Sequence, residues 1–120
     1  MKRRLYIIII SLALLLLATG CLGPKPVVDG FTSEPPAQGS DAPFKVDVTV
    51  SNIGGDGQVE VEVSLVDKQS GQVLRKDTNE VDMKENEVQH VLFEMDLPPS
   101  AQDLDPQDID VQVDAHYPIE

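Results

Sequence analysis

From Phe44 onward, apolar and polar residues alternate with a period of two. Phe44, Val46, Val48 and Val50 interleave with Lys45, Asp47, Thr49 and Ser51, the pattern of a half-buried strand. Asn52 to Gly57 contains three glycines and predicts a turn in which glycine supplies positive φ. Val59, Val61, Val63 and Leu65 then alternate with Gln58, Glu60, Glu62 and Ser64 as a second strand. Lys68-Gln69-Ser70-Gly71 reads as a reversal, Val73 to Lys76 as a shorter strand and Val81 with Met83 as a further apolar pair. Lys84 to Glu87 is a polar turn, and Val88 to Met95 is apolar on both faces, which predicts cover on both sides. Pro98-Pro99 ends that strand, and Ile109, Val111, Val113, Ala115 and Tyr117 alternate with polar residues in a closing one. No stretch carries the i, i+3, i+4, i+7 spacing of a capped helix. Short strands with one apolar face bury it by packing sheet on sheet. The expectation is an all-β fold: an antiparallel, immunoglobulin-like β-sandwich of about seven strands over residues 44–120.

The first 43 residues read differently. Met1 to Arg4 is basic, and the 14 positions from Leu5 to Ala18 are apolar apart from Tyr6 and Ser11. That length lies within the roughly 7 to 15 residues of a signal-peptide core and short of the ~20 needed to span a bilayer. Residues 1–20 are therefore expected to be a signal-peptide helix, although an uncleaved signal anchor or plain secretion fits the same leader. Five of the nine prolines fall between Leu22 and Pro43, so residues 21–43 predict a Pro-rich tether. Val27, Val28 and Phe31 offer an irregular first edge strand over 27–31, where proline is tolerated.

Leu17-Ala18-Thr19-Gly20-Cys21 places small residues before the one cysteine of the chain. It resembles the lipobox of prokaryotic lipoprotein signal peptides, with Ala18 where leucine is commonest. The resemblance implies that Leu17, Ala18, Thr19 and Gly20 are recognised by a signal peptidase and that the Cys21 sulfur carries lipid. The protein would then be anchored in the cell membrane on its extracytoplasmic face. Disulfides persist in such a compartment, yet no second cysteine exists, so the domain must fold by burial alone.

Charge narrows the function classes. Three of nine basic residues lie in the leader, leaving six against 21 acidic ones, a net charge of −15. Such a field disfavours nucleic acid and direct adsorption to anionic headgroups, while cations and basic protein surfaces fit it. A hydrated acidic surface suited to high salt is the blander reading of the same composition.

Catalytic sets are thin. His90 and His116 sit in expected strands without a serine motif, and two histidines with no free cysteine fall short of a zinc site unless carboxylates complete it. Glu60 and Glu62 share a solvent face, but a glycosidase pair needs a cleft. The glycines of Asn52–Gly57 precede a strand, not the helix N-terminus that a phosphate cradle requires. Asp103, Asp105 and Asp108 are the candidate calcium ligands. They lack the central glycine and closing glutamate of an EF-hand, so a solvated acidic loop is expected there, with no metal and no cofactor.

Val46-Asp47-Val48-Thr49-Val50-Ser51-Asn52-Ile53-Gly54-Gly55 resembles the T-V-x-N-x-G signature of CARDB-like archaeal immunoglobulin-like domains. The likeness continues through Val59–Leu65, the Met83–Glu87 turn, where such domains often carry Leu-x-Pro-Gly-Glu, and Val91–Met95. It implies the sandwich fold and a binding or spacer role at a cell surface. The expected function is a non-enzymatic interaction or accessory module with a protein partner at the surface. The alternative is a cation- or solute-binding lipoprotein that uses its acidic loops, with Ca2+ as the cation.

Overall fold

The computed structural model describes residues 23–118. The signal-peptide helix and the lipobox residues Leu17, Ala18, Thr19, Gly20 and Cys21 lie outside the described residues. Six strands follow in order: β1 (Pro26–Glu34), β2 (Phe44–Asn52), β3 (Gly57–Asp67), β4 (Val73–Met83), β5 (Val88–Met95) and β6 (Ile109–His116). Two 3-10 turns, Pro99–Ala101 and Pro106–Asp108, lie between β5 and β6.

The strands form two antiparallel three-stranded sheets, ordered β1-β2-β5 and β4-β3-β6. The alternation explains how they stack. Phe44, Val46, Val48 and Val50 from the centre of one sheet meet Val59, Val61, Val63 and Leu65 from the centre of the other, and all eight are buried. Val91, Phe93 and Met95 of β5 and Met83 of β4 complete this layer. Leu97, Ala101 and Ile109 close it at one end. Burying one such side chain contributes about 1.5–3 kcal/mol, so the two central strands carry most of the apolar stabilisation.

Three expectations change. About seven strands become six among the described residues, because Val73–Lys76 and Val81–Met83 belong to one strand. The 11-residue β3 offers a ladder from Gly57 opposite Met83 to Val66 opposite Val73, with one bulge between Leu65 and Val66. The polar stretch of β4 can follow that ladder because β4 is an edge strand whose middle stays in water.

The tether of residues 21–43 also shrinks. Pro26–Glu34 pairs with β2 along its full length, beyond the expected 27–31, with a bulge between Val28 and Gly30. Of its apolar residues only Val28 packs against the core, so hydrophobicity marks this strand weakly.

Finally, β5 has cover on one side only. It is the outer strand of its sheet, and Val88 and Leu92 are more than half exposed.

The antiparallel order gathers two connections and the start of β1 at one end and three connections at the other. One end holds the start of β1, the Asn52–Gly57 loop and the Met83–Val88 turn. The opposite end holds the β1–β2, β3–β4 and β5–β6 connections.

Candidate functional site

Asn52 is the one fully buried polar residue among the described core. It ends β2, so its side chain falls on the inward face of the alternation, and burial there demands that every amide hydrogen-bond group be used. Its Oδ1 accepts from Lys25 N–H at 2.9 Å and Gly54 N–H at 3.0 Å. Its Nδ2 donates to the Gly55 carbonyl at 2.8 Å and the Lys84 carbonyl at 3.2 Å. One side chain thus ties together the residues leading into β1, the glycine loop and the β4–β5 turn. The backbone repeats the connection: Asn52 N–H donates to Glu87 O and Asn86 N–H to Asn52 O. Asn86 has φ 63°, a left-handed conformation that asparagine tolerates.

The glycines here serve close approach. Neither Gly54 nor Gly57 has the positive φ expected from the sequence. A Cβ on Gly54 would meet the Gly23 carbonyl oxygen and stand 2.6 Å from Lys25 N, and one on Gly57 would stand 3.0 Å from Pro24 Cδ. Their absence lets Gly23–Lys25 lie across the loop. Gly55 N–H then donates to Gly23 O at 2.9 Å and Ile53 N–H to Lys25 O at 3.0 Å.

The outer face of the β4-β3-β6 sheet is charged. Glu60 lies opposite His116 and Glu62 opposite Asp114 across β3 and β6. Like charges directly opposed destabilise a sheet, and here Lys76 and the His116 ring lie against the carboxylates. Lys76 Nζ is 2.5 Å from Glu62, His116 Nδ1 is 3.0 Å from Asp114, and His116 Nε2 is 3.5 Å from Glu60. Ligand atoms of Glu62, Asp114 and His116 lie within 4.8 Å of one another, beside a shallow groove of about 390 Å³ lined by Glu62, Ser64, Val73, Lys76, Gln112, Val113 and Asp114. Two carboxylates and an imidazole are a zinc-type donor set, and Lys76 competes for one of them.

His90 lies on the outer face of the other sheet, its Nδ1 3.1 Å from the Thr49 hydroxyl. Asp47 Oδ1 is shielded there without a hydrogen-bond partner, 3.7 Å from His90 Nδ1, a separation too long for a hydrogen bond.

Asp103, Asp105 and Asp108 are not brought together as a three-ligand group; among the described residues that geometry belongs to Glu62, Asp114 and His116. Asp105 instead accepts from Gln107 N–H and caps the Pro106–Asp108 turn. The loop is pinned from two sides. Gly39 N–H reaches Gln102 O, Gln38 Nε2 reaches Asp103 O, and Lys68 reaches Asp108 O through its backbone and Gln107 O through its side chain. Ala101 and Leu97 plug the core beneath it.

Two features escaped the sequence reading. Asn52 stood within the signature as a turn residue, and its partner Lys25 is 27 positions away. Glu62, Asp114 and His116 meet only through the β3–β6 register, and alternation shows which residues face out but not which strands adjoin. No protein-family model matches the chain, and no curated protein matches it.

Proposed function

We propose that this chain is a lipid-anchored, extracytoplasmic, non-enzymatic interaction or accessory module, built on an immunoglobulin-like sandwich of the CARDB-like kind. The observation that carries the reading is adjacency: Gly23, two residues after a lipobox-like cysteine, is already hydrogen-bonded into the sandwich through Gly55 N–H, and the chain after the leader has a net charge of −15. A membrane address followed at once by a small, solvent-faced β-domain suits a module that presents a surface to a partner. Fat on the sulfur supplies the attachment, about 0.8 kcal/mol for each buried methylene, so the acidic domain needs no affinity of its own for the membrane.

Mass spectrometry of the membrane fraction tests the anchor. The expected result is a lipid mass on Cys21 as the first residue, with Cys21→Ala released or mislocalised. An intact leader with a free Cys21 thiol at the membrane overturns it. Crosslinking in native membranes tests the module: a reproducible protein neighbour supports it, and none, with measurable solute uptake, favours capture.

Cation capture is the second reading, and the convergence of Glu62, Asp114 and His116 favours it over the loop aspartates. Calorimetry with Zn2+ and Ca2+ decides. Zinc binding lost in His116→Ala and strengthened in Lys76→Ala supports capture at the sheet face, and heat unchanged by both variants removes it.

A further inference from the structure

We infer that the Asn52 end of the domain rests on the bilayer surface, Ile53 at the interface, with the acidic β5–β6 loop turned away from it; this rests on the lipid-anchor reading. The first argument is chain length. Gly23 and Lys25 are hydrogen-bonded to Gly55, Ile53 and Asn52, so the backbone is fastened to this end two residues beyond Cys21. Two residues reach at most about 7 Å even fully extended. Lipid bonded to Cys21 therefore holds this end, and no other, at headgroup depth.

The second argument is the surface itself. Ile53, the first loop residue after β2, is 63% exposed, the most exposed of the large apolar residues described. Val27 and Val88 flank Ser51 one row in, and Tyr117 follows β6 toward the same end; all are substantially exposed. Lys25 and Lys84 are exposed beside them. Apolar residues with lysines at the margin are the composition that settles at a membrane interface, roughly 5–10 Å deep. Of the carboxylates at this end, Asp56 accepts from Glu85 N–H and Glu87 from Lys84 N–H, while Glu85 is exposed beside them.

The third argument is distance. The nine residues of β1 extend about 30 Å at a strand's rise per residue, several Debye lengths at physiological salt. Asp96, Asp103, Asp105 and Asp108 at the far end are thus screened from the headgroups and point to the space where a partner arrives.

The chain contains no tryptophan, so one can be introduced as a depth probe. Full-length Ile53→Trp and Gln69→Trp place it at exposed positions of the near loop and the far β3–β4 turn. Each variant is purified from membranes and reconstituted in phosphatidylcholine vesicles bearing brominated acyl chains. The expected result is loss and blue shift of emission for Ile53→Trp and unchanged emission for Gln69→Trp. Equal emission from both variants, with lipid on Cys21 and co-flotation intact, overturns the orientation while leaving the anchor standing. Free Cys21 without co-flotation overturns both.

Discussion

The two ends of the sandwich are held by opposite means. At the near end, one buried asparagine and two glycines lock three chain segments around a side chain that water does not reach. At the far end, exposed side chains and backbone groups of Gln38, Gly39 and Lys68 reach the carbonyls of the β5–β6 connection, and the aspartates face solvent. A buried polar hub makes its bonds in low dielectric and leaves orphaned groups when cut, whereas exposed bonds are replaced by water. The same number of hydrogen bonds should therefore stabilise the two ends very differently. A firm end suits an anchor, and a yielding one suits a surface that adapts to a partner.

Asn52→Ala is the most damaging test of that contrast. It strands Gly54 N–H in the interior and leaves Lys25 N–H and two carbonyls half-buried without their partner, at about 1–3 kcal/mol for each group that water cannot reach. A loss of about 3 kcal/mol or more is expected, a fall in Tm of roughly 15 °C for a domain of this size. Asp105→Ala, which removes the exposed cap of the far turn, should cost about 0.5–1 kcal/mol. Thermal denaturation of both variants checks the pair, and equal losses would erase the distinction between the ends.

Gly54→Ala sharpens the point by adding atoms where Asn52→Ala removes them. Its Cβ would press on Gly23 O and Lys25 N, so either the loop or the lead-in to β1 must move, at about 1–3 kcal/mol. The clash has a specific partner. In a chain that begins at Pro26 the substitution should be close to neutral, and a double-mutant cycle on chemical denaturation isolates that coupling. A full penalty in the shortened chain would mean that Gly54 serves the loop alone.

The contrast also accounts for what could be read in advance. Strands β2, β3, β5 and β6 stand out in the alternation because each sets one clear apolar face against the core. The two weakly read strands, β1 and β4, are edge strands with polar middles, held by ladder bonds to β2 and β3 more than by burial. The near-end hub was half visible. Asn52 and Gly54 are the N and the G of the sequence signature, but their reason lies in Gly23–Lys25, which composition alone assigned to a tether. At the far end the aspartates were plain, yet no local spacing revealed that Asp105 caps a turn, and on the outer sheet face none revealed that Glu62 meets Asp114 across a strand pair.

The smallest effect concerns pH at the near end. The Glu87 carboxyl is held below its ordinary value of 4.5, first by the backbone N–H of Lys84 at 2.9 Å and then by the Gln89 amide at 3.1 Å, both of which favour the charged form. A carboxylate whose pKa is lowered by folding stabilises the native state above its unfolded value, and that stabilisation disappears as pH falls through the folded value. Glu87→Gln keeps an oxygen for Lys84 N–H but removes the charge. Wild type should thus be slightly more stable than Glu87→Gln at neutral pH, with the gap closing through the acidic carboxylate range. Denaturation curves of the two proteins across that range provide the check. Protection of the Lys84 amide against exchange, taken relative to the intrinsic rate at each pH, should fall in step with the closing gap, because its N–H loses a charged acceptor. Protection that stays high while the gap closes would place the pH response outside this turn, and the near end would then owe its firmness to Asn52 alone.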